Sequence, residues 1–289
     1  METTELLKRV RKIEIKTRGL SRHIFAGEYH SAFKGRGMAF SEVREYQYGD
    51  DFRSVDWNVT ARFNHPYIKI FEEERELTVM LLIDISGSGE FGTQNRLKSS
   101  LITEIAAVLS FSAIQNNDKV GVILFTDRIE RFIPPKKGRQ HILKIIRELI
   151  GYKPESRLTN LTIPLRYLVN VINKRSITFL ITDFMDQNYE DALKIASKKH
   201  DLVALWIYDK RETELTGMGL MKVRDSETGE ITWIDTANTY VRHTYKEIYS
   251  KKKEETIEIL KKSGVDYTTI ASHEDYVKPL MRLFNQRAK

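Results

Sequence analysis

The chain contains no cysteine. That excludes disulfides, thiolate nucleophiles and cysteine-ligated zinc, and leaves no sign of an oxidising compartment. Long apolar runs are missing as well. No stretch approaches the roughly 20 apolar residues that a membrane-spanning helix requires. The first 25 residues, rich in Lys and Arg, lack an apolar core of signal-peptide length. The expectation is a cytoplasmic protein with no membrane span. Histidine is sparse: the seven residues, at 23, 30, 65, 141, 200, 243 and 273, include no pair four apart that would hold zinc on a helix. There is no internal repeat and no low-complexity tract.

What is present is an ordinary globular composition, with 41% hydrophobic and 30% charged residues in 289, enough for one large domain or two modest ones. The net charge of +7 raises the question of nucleic acid. Its distribution argues against that partner, because the excess is +1 for residues 1–76, +4 for 77–209 and +2 for 210–289. The one dense basic run, Lys251-Lys252-Lys253, is followed at once by Glu254-Glu255, as on a solvated helix face. The same scattered excess suits an acidic protein partner.

Along the chain, residues 3–18 have the spacing of an amphipathic helix, with Leu6, Leu7, Val10 and Ile13 on one side. Residues 27–76 are punctuated by Gly27, Gly35, Gly37 and Gly49 and carry aromatics at Tyr29, Phe33, Phe40, Tyr46, Tyr48, Phe52 and Trp57, so short strands and turns are expected there. The charged residues around Gly49-Asp50-Asp51 (Arg53, Asp56 and Arg62) read either as a polar network fixing irregular backbone or as a partner-binding surface.

From Leu77 the pattern alternates. Strands are expected at 77–84, 119–125, 129–134, 176–182, 202–208 and 265–270, and helices at 95–116, 141–150, 160–173, 189–199, 240–262 and 273–286. This implies an α/β fold, a doubly wound and mostly parallel sheet with right-handed helical crossovers. The 129–134 strand lies close enough to its predecessor to pair as an antiparallel edge hairpin. Residues 219–235 break the rhythm, with two extended runs flanking Asp225-Ser226-Glu227-Thr228-Gly229, a hairpin insertion. The expected division is an N-terminal segment, 1–76, packed on a main domain of 77–289.

The chain is organised around Leu77 to Glu90. Its first half is an apolar run suited to a strand covered on both faces. Its second half is a polar elbow, with oxygen-bearing side chains at Asp84, Ser86 and Ser88 and turn-permitting Gly87 and Gly89. A second apolar strand ends in Asp183. If the edge hairpin extends the sheet on one side, the strand ending in Asp183 must start on the other, beside the one ending in Asp84. Both carboxylates then face the switch-point crevice where open α/β sheets bind ligands. Thr159, at the start of a helix, is placed either to cap that helix or to give its hydroxyl to the crevice. Two carboxylates and three hydroxyls are hard donors, suited to Mg²⁺ or Mn²⁺.

These residues resemble the von Willebrand factor A domain, whose metal-ion-dependent adhesion site uses D-x-S-x-S on the first strand, a later Thr and an Asp after the fourth strand. The resemblance assigns those roles to Asp84, Ser86, Ser88, Thr159 and Asp183. It implies that the hydroxyls sit nearest the metal and that the aspartates act largely through water. Upstream, Gly35-Arg36-Gly37, Phe40, Arg44-Glu45-Tyr46, Gly49-Asp50-Asp51, Arg53, Asp56-Trp57 and Ala61-Arg62 resemble bacterial "domain of unknown function 58" proteins. That resemblance covers nearly the whole chain and implies a MoxR-type AAA+ ATPase, or its client, as partner. Two departures stand out: Gly89 where a Met often follows the second Ser, and Leu158-Thr159-Asn160-Leu161 for the more usual Gly-Thr-Asp-Leu.

The function these features imply is a non-enzymatic, metal-dependent protein-binding module that takes an acidic residue of its partner. The alternative is a Mg²⁺-dependent phosphoryl-transfer hydrolase of haloacid-dehalogenase-like type, which also ends its first strand in Asp. That chemistry calls for a second Asp two positions on as general acid, and Ser86 stands there. No G-K-[ST] follows the strand to place a Lys on nucleotide phosphates.

Overall fold

The computed structural model describes residues 3–20, 29, 32, 37–74, 77–90 and 97–288. Among the residues singled out above, His23, Gly27, His30, Phe33, Gly35 and Arg36 lie outside that set, as do the first two positions of the helix expected from 95. The chain divides into two compact units, one of residues 34–77 and one of residues 1–33 with 78–289.

The larger unit is built on a six-stranded sheet. Its strands are β3 (Thr78–Asp84), β4 (Lys119–Phe125), β5 (Ile129–Lys136), β6 (Ile177–Thr182), β7 (Asp201–Tyr208) and β10 (Asp266–Ala271), in the order β10-β7-β6-β3-β4-β5. All pairs are parallel except β4 with β5. The expected order is therefore observed: β5 closes one edge, and β6 pairs with β3 on the side away from β4. Strand order reverses at β3, so the ends of β3 and β6 flank the switch point. At the β5 edge the strand carries Pro134 and Pro135 within a shift of register opposite Gly121. Among the described residues no helix is long and apolar enough to cross a membrane.

The apolar run of β3 behaves as its composition demands, with Val79, Met80, Leu81, Leu82 and Ile83 all fully buried. Each such side chain contributes about 1.5–3 kcal/mol of transfer free energy. One core gathers Met80, Leu82, Ile123 and Leu180 of the sheet with residues of α5 (Thr162–Val171), α6 (Glu190–Lys199) and α8 (Thr239–Lys262). In helix α3 (Lys98–Gln115), residues 101–103 and 105–113 are all buried, more than the single side that a helix lying on a sheet covers. The reason is a second helical layer. Helix α1 (Thr3–Leu20) packs on α3 and α4 (Arg139–Gly151), where Val10 meets Ala107, Phe111, Ile142 and Ile146. Lys16–Glu104 and Arg139–Glu14 pairs, both 2.6 Å, flank that seam. The interruption near 219–235 is the antiparallel hairpin β8 (Leu220–Arg224) and β9 (Ile231–Asp235). A four-residue helix, α7 (Lys210–Thr213), precedes it, and α9 (Val277–Arg287) closes the chain.

In the smaller unit β1 (Gly37–Glu45) pairs antiparallel with β2 (Tyr67–Glu74). The connection holds a turn with Gly49 at φ 106°, a 3-10 turn at Phe52–Ser54 and a short helix α2 (Trp57–Phe63). The charged residues here secure irregular backbone. Arg44 grips Asp50 through two bonds of 2.9 and 2.7 Å, Asp51 accepts from the Arg53 amide, and Asp56 caps α2 through the Asn58 and Val59 amides. Tyr48, Phe52, Trp57 and Phe63 are exposed.

Candidate metal centre

β3 delivers Asp84 to the carboxyl end of the sheet, where it is 5% exposed. Its two oxygens are both engaged. Oδ1 accepts from the Ser86 amide at 2.9 Å, and Oδ2 accepts from the Thr182 hydroxyl at 2.7 Å. Thr182 is the last residue of β6, so this bond joins the two strands at the switch point. The chain then turns through a short 3-10 segment, Gly87–Glu90, which brings the Ser86 and Ser88 hydroxyls to 3.1 Å from each other. Ser86 is buried and Ser88 half-buried.

Asp183 follows β6 and is also buried. The turn after it is unusual, because Phe184 adopts φ 54°, a left-handed backbone that bulky residues avoid. Packing holds it there: the ring sits at centroid distances of 6.0 Å from Tyr189 and 5.7 Å from Trp206. One Asp183 oxygen accepts from the Met185 amide at 3.2 Å. The other accepts from Lys98 Nζ at 2.9 Å.

Lys98 is a participant that sequence reasoning missed. It opens α3 and is 1% exposed, and its ammonium also donates to Glu212 Oε1 of α7 at 2.6 Å. Glu212 is fixed in turn by a capping box, accepting from the Asp209 amide at 2.9 Å. Burial disfavours the Lys98 charge, but the Asp183 and Glu212 carboxylates outweigh it and hold its pKa above the usual lysine value. Among the described residues no cation pairs with Asp84 in this way. Burial, and then the neighbouring Asp183 carboxylate, push its carboxyl up to about 7.

Thr159 does not cap the helix it precedes. The α5 N-cap is Leu161, with no side-chain cap, and the local turn is closed by Asn160 Oδ1 accepting from the Thr162 amide at 3.0 Å. The Thr159 hydroxyl donates instead to Glu227 Oε1 at the tip of the β8–β9 hairpin, at 2.8 Å. The loop carrying Thr159 is tied to the serine turn by the Gly87 amide, which donates to the Arg157 carbonyl at 2.9 Å. The five singled-out residues thus lie on three segments joined by direct bonds: Asp84 to Ser86, Asp84 to Thr182 next to Asp183, and Gly87 to Arg157 near Thr159.

Among the described residues no three His, Cys, Asp or Glu side chains converge as a metal site. A cation here would therefore rest on hydroxyl oxygens with carboxylates behind them. The serine pair suits that role. Hydroxyl oxygens 3.1 Å apart match the edge of an octahedron with bonds of about 2.1 Å, which is roughly 3.0 Å. A divalent cation beside Asp84 would also offset the negative charge that burial makes costly.

A mostly parallel sheet of this order, flanked by helices, with a D-x-S-x-S turn at the switch point defines a von Willebrand factor A-like fold. Residues 42–255 match the family described as "Protein of unknown function DUF58", and the chain belongs to that family. An uncharacterized protein of Mycobacterium tuberculosis, Rv1480, is 24% identical over 294 residues, covering 100% of this chain and 92% of that protein. Among solved structures, the conserved hypothetical protein BatB from Bacteroides thetaiotaomicron superposes with a TM-score of 0.50 at 16% identity, over 73% of this chain and 98% of that one. The SpRpn10 VWA domain aligns with a TM-score of 0.41 at 10% identity, over 73% and 95%.

Proposed function

We propose that the chain is a non-enzymatic protein-binding module whose crevice holds a divalent cation, Mg²⁺ or Mn²⁺, at Asp84, Ser86, Ser88, Thr159 and Asp183. The observation that carries this reading is the serine pair. Two hydroxyls at the spacing of an octahedral edge are backed by a buried carboxylate whose own oxygens are locked by Ser86 and Thr182. When bound, the cation would supply positive charge and an open coordination position to an incoming carboxylate. The residues do the positioning: Thr182 fixes the Asp84 rotamer, and Lys98 fixes Asp183. An Asp84 with both oxygens engaged suits a held ligand better than a free nucleophile, which favours binding over phosphoryl transfer.

The partner would contribute an acidic residue, and the basic excess of the chain would steer it. A MoxR-type AAA+ ATPase or a protein it remodels is the partner class, on the strength of the resemblance in residues 35–62. The test measures Mg²⁺ and Mn²⁺ binding by calorimetry in wild type and Asp84→Ala. It also measures binding of the MoxR-type ATPase from the same source in Mg²⁺, in EDTA, and with Ser86→Ala plus Ser88→Ala. Binding that requires both cation and serines supports the reading. Equal affinity in all three conditions would move the interaction to another surface, with the exposed aromatics Tyr48, Phe52, Trp57 and Phe63 first in line.

A further inference from the structure

We infer that Glu227, at the tip of the β8–β9 hairpin, is a built-in acidic ligand of this crevice, standing where a partner's carboxylate would stand. The inference rests on the cation-binding reading of the site and adds to it how the site is kept closed.

Two adjacent tip residues touch the two separate segments that carry the hydroxyl donors. Glu227 Oε1 accepts from Thr159 Oγ1 at 2.8 Å. Ser226 lies against the serine turn so tightly that a Cβ on Gly87 would fall 2.2 Å from its carbonyl oxygen and 3.2 Å from Arg157 Cβ. No real Cβ tolerates the first distance, and the carbonyl is backbone, with no side-chain freedom to retreat. The glycine inside the D-x-S-x-S turn is therefore the residue that lets the hairpin seat.

The tip is also pre-shaped. The Asp225 carboxylate accepts from the Glu227 and Thr228 amides at 2.9 and 2.7 Å, and Gly229 closes the turn at φ 75°. Little conformational entropy remains to be lost in placing Glu227, which makes a short-range contact effective for its size. The charge around it fits a cation as well. Asp183, Asp186 and Asp225 all add negative potential at Glu227, and the Thr159 hydroxyl is a neutral donor. A carboxylate held among carboxylates gains from a divalent cation beside it.

A partner acid would then have to displace Glu227, so the hairpin sets a threshold for binding. The test uses the full chain and Mn²⁺ alone, comparing wild type, Glu227→Gln, Glu227→Ala and Asp84→Ala. Expected are a roughly tenfold loss of Mn²⁺ affinity in both Glu227 variants, and a rise in water-proton relaxation per bound Mn²⁺ as water replaces the carboxylate. The near-isosteric Gln variant guards against a merely misfolded tip. If wild type binds Mn²⁺ in a manner lost in Asp84→Ala, while both Glu227 variants match wild type in affinity and relaxation, this inference fails and the cation site stands. If wild type binds no Mn²⁺, the cation reading itself fails and takes this inference with it.

Discussion

Lys98 Nζ and Asp183 Oδ2 lie 2.9 Å apart with both side chains at most 5% exposed, so a fixed ammonium sits beside the crevice. Desolvating such a pair is expensive, and removing one partner leaves the other uncompensated, typically at a cost of about 3–5 kcal/mol. Lys98→Met should therefore lower the urea midpoint by an amount corresponding to about 3 kcal/mol in the absence of divalent cation. The same change removes positive charge next to Asp183, so Mg²⁺ should bind more tightly and restore part of the lost stability. A Lys98→Met protein as stable as wild type in EDTA would show that the pair adds nothing.

Gly121, in β4, tests how closely β5 is laid on its neighbour. A Cβ there would meet Met80 Sδ at 2.7 Å, the Pro135 backbone nitrogen at 2.9 Å and the Ile133 carbonyl at 3.1 Å. The methionine can yield, but the two backbone atoms cannot without shifting the strand. Gly121→Ala should cost about 1–3 kcal/mol, measured by thermal or urea unfolding. An unchanged midpoint would mean that the β4–β5 bulge adjusts freely.

His200 supplies a pH signature. It is fully buried, and its Nδ1 accepts from the Ser176 amide at 3.3 Å, which assigns the proton to Nε2. Burial first, then the charges of Lys199 and Arg175, lower its pKa to about 4 from 6.5. Between those values the unfolded chain binds the proton and the folded one does not. Stability is therefore fully present above pH 6.5, falls as pH drops through the window to about 4, and loses nothing more from this group below it. The loss is up to about 3 kcal/mol. Urea midpoints of wild type and His200→Gln, measured from pH 7.5 to 4, should converge as pH falls. Parallel curves would sink the assignment.

Much of the fold was legible because periodicity and chain order carry it. The apolar runs ending in Asp84 and Asp183, and the short link between β4 and β5, were enough to place β6 against β3. The hairpin at 219–235 was visible from Asp225 to Gly229. Helix α3 was harder. Its small residues, Ala106, Ala107, Ser110 and Ala113, leave no contrast between faces, because α1 covers the side that would otherwise meet water.

The site was legible only where its residues are local. Asp84, Ser86 and Ser88 announce themselves within five positions. Thr182 could have been noticed, as a hydroxyl ending a strand beside an Asp. Lys98 could not, since it reads as a solvated residue at a helix start and its partner Glu212 is 114 positions away. In the sequence Glu227 reads only as part of a turn. That the turn lands on Thr159, 68 positions earlier, depends on how β8 and β9 leave the sheet.

The proline pair of β5 has a consequence for assembly. Proline carries no amide N–H, so Pro134 and Pro135 remove two consecutive donors from β5 at the irregularity opposite Gly121. A neighbouring chain that tried to add itself there would find a broken ladder. Prolines on an edge strand discourage the edge-to-edge pairing by which sheets of separate chains join.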